Sequence, residues 1–163
     1  MLSAPPLRRR LACLSYEGLI LLGLALVTAA IVVFVLYLFG VEQEQHVLRP
    51  VMQIAEFAVL TGYGTWFWSA GRQTLPMKTW HIRVVNSTGL PLNVGRALWR
   101  AMLCWFWILP ALLLAAAFRL GPVSTGWLLC AGILLWACTS FLRTDRQYLH
   151  DVLAGSRLIV AAP

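Results

Sequence analysis

Few residues in this 163-residue chain could do chemistry. It has 6 Asp plus Glu, 3 His and 4 Cys, against 13 Lys plus Arg. Glu17 follows Arg10 by seven residues, two helical turns, so the two share one face about 10 Å apart along the axis. A carboxylate in lipid costs about 2.5–3.5 kcal/mol at mid-membrane. Glu17 should therefore face other helices and find a partner, Arg10 or Arg100. The favoured role is a buried ion pair that fixes helix register, and the competing one is a proton or cation site. Glu56, with Gln53 and Thr61 nearby, reads first as a hydrogen-bonded acid gluing helices together. Charged, it would suit an ion path from outside. Glu17 and Glu56 near opposite faces would suit alternating access, but only in an oligomer or with a partner.

Asp151 adjoins His150. No Ser or Cys nucleophile stands in a recognisable motif, so the pair reads as a docking contact, with Arg10, Arg72 or Lys78 as the cation. Cys13, Cys104, Cys130 and Cys138 show no C-x-x-C spacing, so neither a metal site nor a disulfide framework is expected. The Gly71–Met77 stretch lacks the spacing of a phosphate loop. No cofactor and no enzymatic activity are specified.

The elements that hold these residues follow from composition. The chain is 60% hydrophobic and 12% charged, half the charge of a typical soluble domain, which leaves lipid as the solvent for its apolar surface. Apolar runs predict four transmembrane helices over about 12–38, 51–70, 98–118 and 123–142. The first is too long for a cleaved signal peptide, because Ile31–Val35 continues it past Thr28-Ala29-Ala30. Pro110 predicts a kink in the third. Eleven basic residues fall on one side: Arg8, Arg9, Arg10, Arg72, Lys78, Arg83, Arg96, Arg100, Arg143, Arg146 and Arg157. Arg49 and Arg119 fall on the other, with Glu42 and Glu44. That bias predicts both termini inside. The net charge of +7 then reads as anchoring at an anionic leaflet, and nucleic acid is excluded as a partner.

Between the second and third spans, in the cytoplasmic region 72–97, His81–Val85 alternates like a strand. With Asn86-Ser87-Thr88-Gly89 and Leu90–Leu92 it predicts a hairpin. Asn93 caps the next helix. In the tail, 143–163, a short amphipathic helix carries Arg143, Arg146, Gln147 and His150 on one face and ends at Gly155. Ser156–Val160 reads as a strand, expected to pair with Arg83-Val84-Val85. Small residues Gly18, Gly23, Ala25 and Ala29 permit close helix approach.

Three ordered segments resemble the RDD family of small bacterial membrane proteins, named for one arginine and two aspartates. Arg10-Leu11-Ala12-Cys13-Leu14-Ser15-Tyr16-Glu17 is similar to its first motif, with Glu17 where an aspartate is usual. Gly71–Val85 resembles its central segment, with Pro76 in place of a small residue. His150-Asp151-Val152-Leu153-Ala154-Gly155-Ser156-Arg157 is similar to its last motif, with Asp151 as the second aspartate. The resemblance implies a single domain over 1–163: an all-α, multi-pass bundle in the bacterial cytoplasmic (inner) membrane with a small cytoplasmic β element. Arg10, Glu17 and Asp151 would form its charge cluster, with Arg72, Lys78 and Arg100 as ion-pair partners. The family's activity is undefined. The expected function is a non-enzymatic membrane module that binds or supports a partner. The alternative is an oligomeric cation/proton or solute transporter using Glu17 and Glu56.

Overall fold

The computed structural model describes residues 4–41, 45–139 and 147–161. Helix α1, Leu7–Leu38, is 32 residues long, about 48 Å, and so exceeds a hydrocarbon core of about 30 Å. Helix α2, Gln45–Trp68, packs against α1 and against α4, Val94–Cys104. A 3₁₀ turn, Trp105–Trp107, joins α4 to α5, Leu109–Ala117, which packs on α6, Pro122–Cys138. The expected kink at Pro110 is thus a break in the helix. Proline has no N–H to donate and clashes with the carbonyl four residues back, here that of Phe106 in the 3₁₀ turn. Ala111 and Ala115, one turn apart, are buried, as small residues at a close helix contact would be.

Two helical stretches are long and apolar enough to cross a bilayer, Leu7–Leu38 with mean hydropathy 3.1 and Val94–Ala117 with 1.8. Helix α6 is apolar but spans 17 residues, and the stretch 140–146 that follows it lies outside the described residues. So does the part of the expected tail helix that carries Arg143 and Arg146.

Beneath these helices sits a small packed base. Helix α3, Leu75–Thr79, is capped by Thr74, whose hydroxyl accepts from the Met77 amide. Strand β1, Ile82–Asn86, pairs antiparallel with β2, Ser156–Val160, with Val84 opposite Leu158. The strand pairing expected across the chain is therefore present. The local hairpin is not completed, which is a correction. The chain does turn at Gly89 (φ +88°), and the Asn86 amide bonds to the Leu90 carbonyl at 2.8 Å. Leu92, however, bridges to Ser69 at the end of α2. Pro91 explains the arrangement: without an N–H it cannot continue a ladder, so β1 takes its partner from the tail. Gln147 stands just before α7, Leu149–Leu153, and is not part of it. Its amide brackets β2, donating to the Leu158 carbonyl and accepting from the Leu158 amide. Gly155, at φ +62°, supplies the left-handed turn between α7 and β2.

Ile82, Val84 and Val85 of β1 and Leu92 are all but fully buried, each contributing about 1.5–3 kcal/mol relative to exposure in water. Ile82, Val84 and Leu92 pack with Cys13, Met77, Ala97, Ala137, Tyr148 and Leu158. The base thus gathers the ends of α1, α4 and α6 with both strands. The long helices, by contrast, expose their leucines, valines and phenylalanines. Gly18 and Gly23 meet no neighbouring atom within 4 Å of an added Cβ, so the close approach expected there is not made among the described residues.

The strand pairing is testable by cross-linking. In a background with the native cysteines replaced by serine, Arg83→Cys with Ile159→Cys should form a disulfide on mild oxidation, because opposed strand residues lie about 4.5–5.5 Å apart at Cα. Arg83→Cys with Leu92→Cys, which a hairpin turning over Asn86–Gly89 would oppose, should not. The reverse result would restore the hairpin.

Candidate functional site

The site is a set of buried polar side chains at the junction of the helices with the base. Arg100 lies on α4 one turn after Ala97, and both face inward. Its Nε donates to Asp151 Oδ1 at 2.7 Å, with side-chain exposures of 5% and 0%, so the pair is shut off from water. The guanidinium stacks over the Trp68 ring at 4.0 Å, where the ring's negative face favours a cation. Asp151 belongs to α7, and Ser156 at the start of β2 donates to its carboxylate (3.2 Å) and its carbonyl (3.1 Å). One carboxylate therefore ties together α4, α7 and β2. Asp151 pairs with Arg100, where Arg10, Arg72 or Lys78 was the expected cation; Arg72 and Lys78 are exposed, and the Arg10 guanidinium lies over the Tyr148 ring.

His150 completes this group. Its Nε2 lies 3.5 Å from Asp151 Oδ1, and its Nδ1 accepts from Trp136 Nε1 at 3.3 Å. Indole N–H can only donate, so Nδ1 must be the bare nitrogen and the proton sits on Nε2, facing Asp151. The ring stacks on Tyr148 at 5.6 Å, and Arg10 lies over the other end of this row, 4.8 Å from the Tyr148 ring. Burial is the main reason that the His150 pKa falls from 6.5 to about 4, and the Arg100 charge adds to it. Burial also lifts the Tyr148 hydroxyl above its usual value. Against its own burial, the Asp151 carboxyl is held below its ordinary value by Arg100 and His150. The His150 ring is only 2% exposed, packed among Asp151, Trp136 and Tyr148.

Glu17 forms the second centre. Its carboxylate accepts from the Tyr63 hydroxyl of α2 at 2.7 Å and from the Thr74 hydroxyl at 2.6 Å. Thr74 thus caps α3 and binds Glu17 with one oxygen, and joins α1 to the loop leaving α2. The expected partners of Glu17 were Arg10 and Arg100; the contacts made are two neutral hydroxyls, and the Arg100 Nε goes to Asp151. Neither Tyr63 nor Thr74 was singled out from the sequence as a ligand of Glu17. Sequence spacing carries no trace of a contact between residues 46 and 57 positions apart.

Glu56 is half-buried on α2, seven residues and so about 10 Å farther along the axis than Tyr63. Thr61, expected beside it, accepts from Trp105 Nε1 at 3.0 Å. The expected cluster of Arg10, Glu17 and Asp151 is thus distributed over two centres under one roof. No group of three or more His, Cys, Asp or Glu is placed to hold a metal among the described residues.

The protonation states set a pH dependence. With its pKa near 4, the folded protein releases the His150 proton that the unfolded chain holds up to about 6.5. The unfolded state therefore binds more protons between those values. Stability is fully present above about 6.5 and is lost as pH falls towards 4, by at most about 1.4 kcal/mol per pH unit. Asp151, whose folded pKa is depressed, extends the loss to lower pH. Thermal unfolding in detergent should shift to lower temperature from pH 7.5 to 5, and His150→Phe should flatten that slope while keeping the stack on Tyr148. A wild-type slope unchanged in His150→Phe would show that another group titrates.

The RDD family model matches residues 4–155, nearly the whole chain. No curated protein and no solved structure gives a significant match. With two helices long and apolar enough to cross a bilayer, the match points to a membrane protein. The chain belongs to the RDD family.

Proposed function

We propose that this chain is a four-span, N-in/C-in module of the bacterial inner membrane, without enzymatic activity, that binds or supports a protein partner. The observation that carries this reading is where the buried charges lie. Arg10, Glu17, Arg100, His150 and Asp151 are the buried Arg, His, Asp and Glu residues among the described ones, and all but Arg100, which reaches them from α4, belong to the motifs that meet at the base. Their partners are side chains of the same chain: Tyr63, Thr74, Trp68, Ser156, Trp136 and Tyr148. An ion path would need such groups staggered through the apolar thickness and open to exchange. A fixed set at one end suits a lock.

The orientation rests on the basic residues. Arg8, Arg9, Lys78, Arg83, Arg96 and Arg157 surround the base, the side that the positive-inside bias places in the cytoplasm. The exposed stripe of α1 around Gly18 and Gly23 offers a helix-sized approach to lipid, to a second copy or to another membrane protein.

Single-cysteine variants at Arg83 and Arg157 should be shielded from an impermeant maleimide in intact cells and labelled after permeabilisation. In liposomes the purified protein should drive no proton movement in response to Na⁺, K⁺ or Li⁺, and Glu17→Gln should lower melting temperature and yield. Proton flux by the wild type that disappears in a well-folded Glu17→Gln variant would replace this reading with transport.

A further inference from the structure

We propose that the groove between α2 and α4 seats one acyl chain of an anionic phospholipid of the cytoplasmic leaflet, with the lipid phosphate on Arg72. The proposal rests on the membrane orientation above. The groove encloses about 540 Å³. Its walls are apolar, with Phe57 and Gly62 on α2 and Leu98 and Met102 on α4. From Phe57 to Ser69 it follows α2 for about 18 Å, slightly more than the roughly 15 Å that half of a 30 Å hydrocarbon core requires.

One end is charged. Among the described residues Arg72 is the one ionisable residue lining the groove, and none of its lining residues is a carboxylate. The guanidinium is set in place beforehand, stacked 3.9 Å from the Trp66 ring. Its Nη1 donates to the Trp66 carbonyl at 3.2 Å and to Ser69 Oγ at 3.0 Å. Nε and Nη2 remain uncommitted among the described residues and can donate to phosphate oxygens. Val94, the first residue of α4, lines the same end, so the positive end of that helix dipole adds to the field. An apolar slot one leaflet deep, with one oriented cation at the headgroup level and no counter-charge, matches a ligand with an apolar body and a single anionic end. A second copy of this chain would fill the slot but leave the arginine unanswered.

The wild-type protein, released from bilayers containing equal phosphatidylglycerol and phosphatidylcholine, should retain about tenfold more of the former by native mass spectrometry, as expected for a charge-assisted hydrogen bond. Arg72→Gln should bring the ratio to parity. Gly62→Phe, at a position where an added Cβ meets nothing within 4 Å, should reduce retention of both lipids. Arg96→Gln, exposed on α4 but outside the groove, should change neither. Equal losses in Arg96→Gln and Arg72→Gln would mean diffuse surface charge and overturn the proposal. So would a dimer that Gly62→Phe dissociates whether or not lipid is present. All variants should float with vesicles after alkaline carbonate washing; a wild type that does not float refutes the membrane reading itself, separately from the lipid site.

Discussion

Taking a carboxylate and a guanidinium out of water costs several kcal/mol for each ion, and Asp151 and Arg100 have both been taken out almost completely. The surroundings replace part of the lost solvation, while Arg100 Nη1 and Asp151 Oδ2 stay buried without a hydrogen bond among the described residues. Trp68 offers its ring face to the guanidinium, Ser156 donates to the carboxylate, and His150 presents its Nε2 edge at 3.5 Å. Much of the base is built to keep these groups in register. Helix α4 is amphipathic so that Arg100 can face inward. The tail folds back so that Asp151 can reach it, and β2 is thereby brought alongside β1, which has no other strand to pair with among the described residues.

Two solvents divide the labour of holding the chain together. In the water-facing base the hydrophobic effect acts, and Ile82, Val84, Leu92 and Leu158 belong to a small core of ordinary kind. Between the long helices that drive is absent in lipid, so the contacts that matter are close packing and hydrogen bonds. Those observed are Tyr63 and Thr74 to Glu17, and Trp105 to Thr61. Glu17 is where the two regimes meet, since its carboxylate ties α1 to α2 and to the loop that opens the base. An aspartate there would be one methylene shorter. The glutamate's reach allows a single carboxylate to accept from both hydroxyls.

The elements with strong local signals were legible in the sequence. The long apolar runs gave helices, and Asn93 caps α4 by accepting from the Arg96 amide at 2.8 Å. Gly155 marked the end of the tail helix, and Pro110 marked a break. The similar Arg-Val-Val and Arg-Leu-Ile-Val stretches pair as strands. The choice of partners was not legible. Which cation meets Asp151 depends on how α4 rotates and where the tail returns, and neither leaves a mark in spacing. The sequence offered Arg10, Arg72 and Lys78, but the first lies over Tyr148, the second is drawn onto Trp66 and the third sits exposed on the last turn of α3. The hairpin expectation failed because a turn signal was read as a pairing signal. Trp136 and Tyr148, which hold His150, were not singled out from the sequence.

The coupling between Arg100 and Asp151 is the most direct measure of this account. A double-mutant cycle with Arg100→Met and Asp151→Leu, read as unfolding free energy in detergent, isolates the pair from the packing each side chain also supplies. The account predicts that each single change destabilises by about 3–5 kcal/mol because it strands a buried charge. The double variant should recover a large part of that loss, giving a coupling of at least about 2 kcal/mol. Additive losses with no recovery would contradict it, and would mean that the tail is held under the helices by packing alone.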